Sequence, residues 1–145
     1  MALEDYQADM VSCCRCSACK FIPLERITNQ VHSYACPSIQ RFNFHSYSGG
    51  GRMGFGLGLI HGRVDYTPKT AEVVYNCNLC GACDISCKYA MEFDVLEPLY
   101  AVREECVNHR RTVPVWDSLV ANMAKGGPTL LQPRAKPCGW HKALD

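Results

Sequence analysis

The sequence predicts a mainly α-helical domain, on three observations. Apolar residues recur at helical steps, most clearly Val95, Leu99, Val102 and Cys106 at intervals of four, three and four. No stretch sustains the alternation of polar and apolar residues that a large sheet needs. Cysteine supplies eleven of the 145 residues, and most of them fall into two tight groups. A chain of this length suits one compact core.

Taken in order, residues 2–10 are expected to form a short acidic helix leading into the first cysteine group. Residues 20–48, with Pro23 and Pro37, predict short helical turns joined by loops. SGGG at 48–51 reads as a flexible break. The next segment, RMGFGLGLIHG, has apolar residues on more than one face and predicts a tightly packed helix. Gly54, Gly56 and Gly58 would let another backbone approach it, each at a cost in helix propensity. Thr67-Pro68 opens a further helix that carries AEVVY toward Cys77. Asp94 and Glu97 have capping-box spacing before the Val95 helix, with Pro98 tolerable in its first turn. A last helix is expected from near Pro114, through Trp116, Leu119, Val120 and Met123, to a Gly126-Gly127 stop. The expected domain is therefore 1–127. Residues 128–145, with three prolines and no periodicity, predict an extended arm or a connection.

Composition narrows the class. Fifteen basic residues against fourteen acidic ones, a formal charge of +1, give no sign of a nucleic-acid surface. The odd cysteine count and an N-terminus without signal-peptide character argue against a secreted disulfide framework. A reducing, cytoplasmic setting with cysteines committed to metal is the better expectation. The most apolar run, MGFGLGLI at 53–60, is far short of the roughly eighteen residues a membrane helix needs.

The metal is argued from spacing. Cys13-x2-Cys16-x2-Cys19 and Cys77-x2-Cys80-x2-Cys83 repeat one triad. Zinc commonly takes separated Cys-x2-Cys pairs in a tetrahedron, so a third cysteine at the same interval needs a different role. A [4Fe-4S] cubane presents four irons over a wider body, and one loop can serve three of them. Two triads use six thiols, which leaves Cys36, before Pro37, and Cys87 as fourth ligands. In the exchanged arrangement, Cys87 completes the set of Cys13, Cys16 and Cys19, and Cys36 completes that of Cys77, Cys80 and Cys83. Two [4Fe-4S] clusters are thus expected, with a zinc-stabilised interaction module as one alternative. A small self-contained iron-sulfur oxidoreductase is another, and no catalytic residue is expected on this chain.

The remaining candidates are weaker. Cys14 reads as a second-layer or buried thiol, Cys106 as a small buried hydrophobe, and Cys138 as free or facing a partner. Lys20 and Lys88 would bring positive charge near a cluster unless they are simply solvated, and the amides of Gly81 and Ala82 are accessible to sulfur. His32, His45, His61, His109 and His141 show no metal-ligand pattern and read as structural or exposed. Phe42, Phe44, Tyr47, Phe55 and Tyr66 read as core or interface. The glycines from 49 to 58 spell neither GxGxxG nor a P-loop.

The two motifs, the RM-x-x-G-x-x-L-I-x-G-R segment and the later NMAKGGP resemble the N-terminal ferredoxin part of heterodisulfide-reductase-like iron-sulfur oxidoreductases. That group includes iron-sulfur subunits of glycolate oxidase and anaerobic glycerol-3-phosphate dehydrogenase. CSACKFIP, ACPSIQRFNFHSYSGGGR and YNCNLCGACDISCK resemble a subgroup from anaerobic bacteria and archaea. The resemblance implies an α-helical ferredoxin domain that relays electrons through two [4Fe-4S] clusters. It implies partners in a redox complex, such as a subunit with CCG domains or one carrying flavin and iron-sulfur centres. Two departures stand out. The interval from Cys19 to Cys36 is sixteen residues where the family has three, and Lys88 follows Cys87 where the family has proline. The chain has no CCG segment, so it is expected to be a fragment, half of a split subunit, or a small electron-transfer subunit.

Overall fold

The computed structural model describes residues 2–22, 27–29, 31 and 33–125. Among these residues the chain is helical, with one isolated antiparallel bridge, Phe21 to Tyr34, in place of a sheet. The chain divides into two compact units, Met1–Thr112 and Val113–Asp145. In the second, Pro114–Ala124 forms a helix with proline in its first turn. The expected Gly126-Gly127 stop and the arm at 128–145 lie outside the described residues.

The first unit begins with a 3-10 turn, Leu3–Tyr6, that runs into α1 (Gln7–Ser12) and ends just before Cys13. Cys36 precedes α2 (Pro37–Phe42), and a 3-10 turn at His45–Tyr47 leads to α3 (Gly49–Ile60). Thr67 caps α4 (Pro68–Tyr75) by accepting a hydrogen bond from the Thr70 amide. Then come α5 (Ala82–Met91) and α6 (Leu96–Asn108). Helix α3 is central, packing against α1, α4, α6 and both 3-10 turns. The predicted apolar face of α6 is its buried face: Val95, Leu99, Val102 and Cys106 are at most 2% exposed. They pack with Met10, Met53, Leu59 and Val74. Burial of side chains this size stabilises by about 1.5–3 kcal/mol each. Ile39, Tyr47 and Val73 form a smaller cluster, with Phe42 stacked on Tyr47 at 4.1 Å between ring centroids. Phe44, by contrast, is exposed.

Three sequence expectations need correction. SGGG is not a flexible break. The Ser48 hydroxyl accepts from the Gly51 amide, and Gly49–Gly51 are the buried first turn of α3. Nor do Gly54, Gly56 and Gly58 admit another backbone. A Cβ at Gly56 would lie 2.8 Å from Met10 Sδ and 2.9 Å from Val102 Cγ2, so this glycine makes room for side chains from α1 and α6. The close backbone approach is at Gly51, where an added Cβ would sit 2.7 Å from both the His45 carbonyl carbon and Ser46 Cα. Finally, Asp94 does not cap α6. Asp84 Oδ1 does, accepting from the Val95 and Leu96 amides at 2.7 and 2.9 Å. Asp84, on α5, thus satisfies two of the amide donors that a helix start leaves without intrahelical partners.

Candidate metal centres

Two cavities gather the cysteines. The first is lined by five cysteines, Cys13, Cys14, Cys16, Cys19 and Cys87, with His45 and Gly50 beside them. Its loop leaves α1 extended and turns through Arg15 and Ser17, both at positive φ (61° and 73°). Such conformations are strained for these residues and collect where a site demands them. Cys19 and Cys87 are buried, Cys13 half-buried and Cys16 exposed. The Gly50 amide donates to Cys19 Sγ at 3.4 Å.

The second cavity is lined by Cys36, Cys77, Cys80 and Cys83, together with Gly49 and Arg52. Leu79 (φ 52°) and Gly81 (φ 76°) turn this loop, and the Leu79 amide donates to Cys77 Sγ at 3.4 Å. Cys36 occupies the N-cap position of α2, and its thiol lies 3.8 Å from the Tyr47 carbonyl. The Arg103 guanidinium donates to the carbonyls of Cys77 and Tyr75, which fixes the start of the loop.

Two helices form the wall between the cavities. Cys83 and Cys87 are one turn apart on α5, and each lines a different cavity. Gly49 lines the second cavity and Gly50 the first, so the N-terminus of α3, with its positive end of the helix dipole, faces both. Lys88 lies well inside α5, which continues to Met91, so a proline there would interrupt the helix. Its ammonium pairs with Asp94 at 2.6 Å and Asp84 at 3.0 Å. These carboxylates, Asp94 first, raise its pKa. Lys88 is therefore neither a simply solvated lysine nor an uncompensated charge beside a cluster.

Several side chains near the cavities escaped the sequence analysis. Arg52 is 1% exposed, and its Nε donates to the Val73 carbonyl at 2.9 Å. Its terminal nitrogens donate to the Tyr47 carbonyl and to Ser38 Oγ. Burial pulls its pKa down, and the neighbouring Cys77, Cys36 and Cys83 oppose that shift. His45 lines the first cavity with a buried Nε2 that has no hydrogen-bond partner. Burial, then Lys20 and Arg15, depress its pKa and favour the neutral imidazole. Nothing in the spacing of a lone arginine or histidine announces a place like these. Cys14 is exposed at the first cavity, which corrects the expectation of burial, whereas Cys106 is buried in the core. His61 and His109 are exposed, with His109 stacked on Tyr66 at 3.7 Å. Cys138, His32 and His141 lie outside the described residues.

The donor sets fit iron-sulfur clusters. The first cavity presents five cysteines and the second four. Among the described residues, no three His, Cys, Asp or Glu side chains converge as for a single metal ion. Glycine keeps the shared wall thin: a Cβ on Gly49 would lie 3.1 Å from Cys83 Sγ, and one on Gly50 3.3 Å from Cys13 Sγ. Burial pushes the Cys83 thiol up to about 12 and the Cys87 thiol up to about 11, so unligated they stay protonated at neutral pH. Coordination to iron is what makes such thiolates tolerable.

A helical frame with two cysteine-lined cavities, each holding at least four thiols, fits the class of ferredoxin-type domains that carry a pair of cubane clusters. The chain belongs to the 4Fe-4S dicluster domain family, which matches residues 9–91, and its cofactors are two [4Fe-4S] clusters. The matched span contains all nine cysteines that line the two cavities. No curated protein and no solved structure matches the chain significantly. Among the described residues, no helix is long and apolar enough to cross a membrane.

Proposed function

We propose that this chain is an electron-transfer module whose clusters are held by Cys13, Cys16, Cys19 and Cys87 in one site and by Cys77, Cys80, Cys83 and Cys36 in the other. The observation that carries this reading is the division of the eight thiols between two cavities that share the walls α3 and α5. When bound, the clusters supply one-electron chemistry. The chain holds them close together: four residues of α5, a rise of about 6 Å, separate Cys83 from Cys87. It also keeps part of each thiol set from water and directs amides at sulfur. The sequence resemblance supports a finer assignment, to a heterodisulfide-reductase-like complex in a reducing cytoplasm. There the partner is a subunit with CCG domains, or one with flavin and iron-sulfur centres.

Anaerobic analysis should give about eight iron and eight sulfide per chain, four for each cluster. Cys87→Ser should remove or alter the EPR signal of the first-triad site, and Cys36→Ser that of the other. Two unaltered [4Fe-4S] signals in Cys36→Ser would remove Cys36 from the ligand set. Substrate turnover by the isolated chain would replace the relay reading with that of a self-contained oxidoreductase.

A further inference from the structure

Among the described residues, Arg52 is the one cation near the two sites that is buried. Among the described residues, every hydrogen-bond acceptor its guanidinium meets is a neutral oxygen: the Val73 and Tyr47 carbonyls and the Ser38 hydroxyl. A charge buried this deeply needs a counter-charge, because neutral oxygens replace the hydrogen bonds of water but not its dielectric screening. The cavity that Arg52 lines contains four cysteine sulfurs and no carboxylate. A cubane held by four thiolates is net negative, and more so when reduced, so it supplies the missing charge.

The first site is built differently. Arg15 at its mouth is exposed, and Lys20 is half-buried. Solvent and salt screen charges of that kind far more than a buried one. Lys88 there is already paired with two carboxylates. One of these, Asp84, is buried three residues before Cys87 on the helix that bears it.

We propose that Arg52 is the fixed counter-charge of the Cys36, Cys77, Cys80 and Cys83 site and makes it the higher-potential of the two, so that an electron entering the domain settles there. This rests on the electron-transfer reading and its ligand sets. Adding the electron makes the site more negative, and the buried positive charge stabilises that state selectively. No proton or covalent bond is involved. Arg52 is a positioning residue as well. Its donors hold the Tyr47 carbonyl near Cys36, the Val73 carbonyl ahead of the Cys77 loop, and Ser38 just past Cys36. The test must therefore separate charge from scaffold.

The experiment is an anaerobic EPR-monitored redox titration of the protein carrying both clusters, comparing wild type with Arg52→Gln and Arg52→Lys. The second site is the signal altered or lost in Cys80→Ser. Arg52→Gln should move that site's reduction equilibrium at least tenfold toward the oxidised form, 59 mV for one electron, and leave the first site in place. Arg52→Lys, which keeps the charge and loses the forked donor, should hold most of the wild-type value. Absence of a shift in the Gln variant overturns the proposal. Equal shifts in the Gln and Lys variants also overturn it, because they assign the effect to lost hydrogen bonds. If the Gln variant fails to assemble, wild type decides. The second site should stay the higher in potential as ionic strength rises, whereas a separation that collapses in salt, or the reverse order, refutes it. Lack of two [4Fe-4S] signals in wild type would instead refute the electron-transfer reading itself.

Discussion

Replacing Gly51 with alanine would place a methyl group against the chain just before α3, where only main-chain atoms can yield. The new Cβ would lie 2.7 Å from the His45 carbonyl carbon and from Ser46 Cα, and closer still to the His45 oxygen. An ordinary contact begins near 3.4 Å, so the turn must move by about 0.7 Å or more. That turn is held by the Ser48 amide and hydroxyl, which donate to the His45 carbonyl at 2.9 and 2.7 Å, and by the Gly51 amide on Ser48 Oγ at 3.0 Å. Overpacking costs about 1–3 kcal/mol and each weakened hydrogen bond about 1 kcal/mol, while alanine returns up to about 1 kcal/mol of helix propensity. The net destabilisation is about 2–4 kcal/mol. Gly54→Ala is the control, because its nearest non-local neighbour is the flexible end of Arg15 at 3.7 Å. It should stabilise by about 0.5–1 kcal/mol. Loss of the clusters' visible absorption in anaerobic guanidinium reports unfolding as a rate. Gly51→Ala should bleach at least tenfold faster than wild type, and Gly54→Ala no faster. A Gly51→Ala protein with both clusters and the wild-type bleaching rate would refute the packing argument.

Asp84→Ala strips the first turn of α6 of the acceptor for two amides and should cost about 2–4 kcal/mol, with Asp84→Asn recovering part because it keeps an oxygen there. The same bleaching assay orders the three proteins, and an alanine variant equal to wild type would dismiss this cap. Lys88→Pro, although it writes the family's Cys-Pro pair, should cost about 3 kcal/mol or more by breaking α5 between Cys87 and Met91. Cluster content after anaerobic gel filtration checks it: retention of both clusters at full helicity would mean that α5 does not need its seventh residue to be helical.

The helices were legible where local chemistry decides them. Thr67-Pro68 announces α4 with a capping hydroxyl and a ring already at helical φ, and the Val95 to Cys106 stripe announces the buried face of α6. The thiol spacing alone points to cubane clusters, because three cysteines at equal short intervals suit several irons better than one. What stayed hidden depends on contacts distant in sequence. Gly49–Gly51 reads as a loose linker until His45, Cys83 and Cys13 are seen to leave no room for side chains there. Asp84 reads as a surface acid between two cysteines until α6 begins against it. Arg52 carries no local signal, since its surroundings come from residues 38, 47 and 73.

These long-range contacts explain how two cofactor sites can be held in a small unit whose described residues form helices and one isolated bridge. Helix α5 gives one thiol to each cavity, so any slide or rotation of α5 would disturb both. The sequence ties it down at two points. Asp84 grips the start of α6 through two amides, and Lys88 reaches Asp94 just before that helix. Since Leu99, Val102 and Cys106 of α6 are buried in the core, these two ties link α5 to it. The spacing of Cys83 and Cys87, one from each cavity, is set by one turn of α5. A relay of the proposed kind gains from that constancy, because electron passage depends on the separation of its centres, and a thiol on a helix holds its place better than one on a loop.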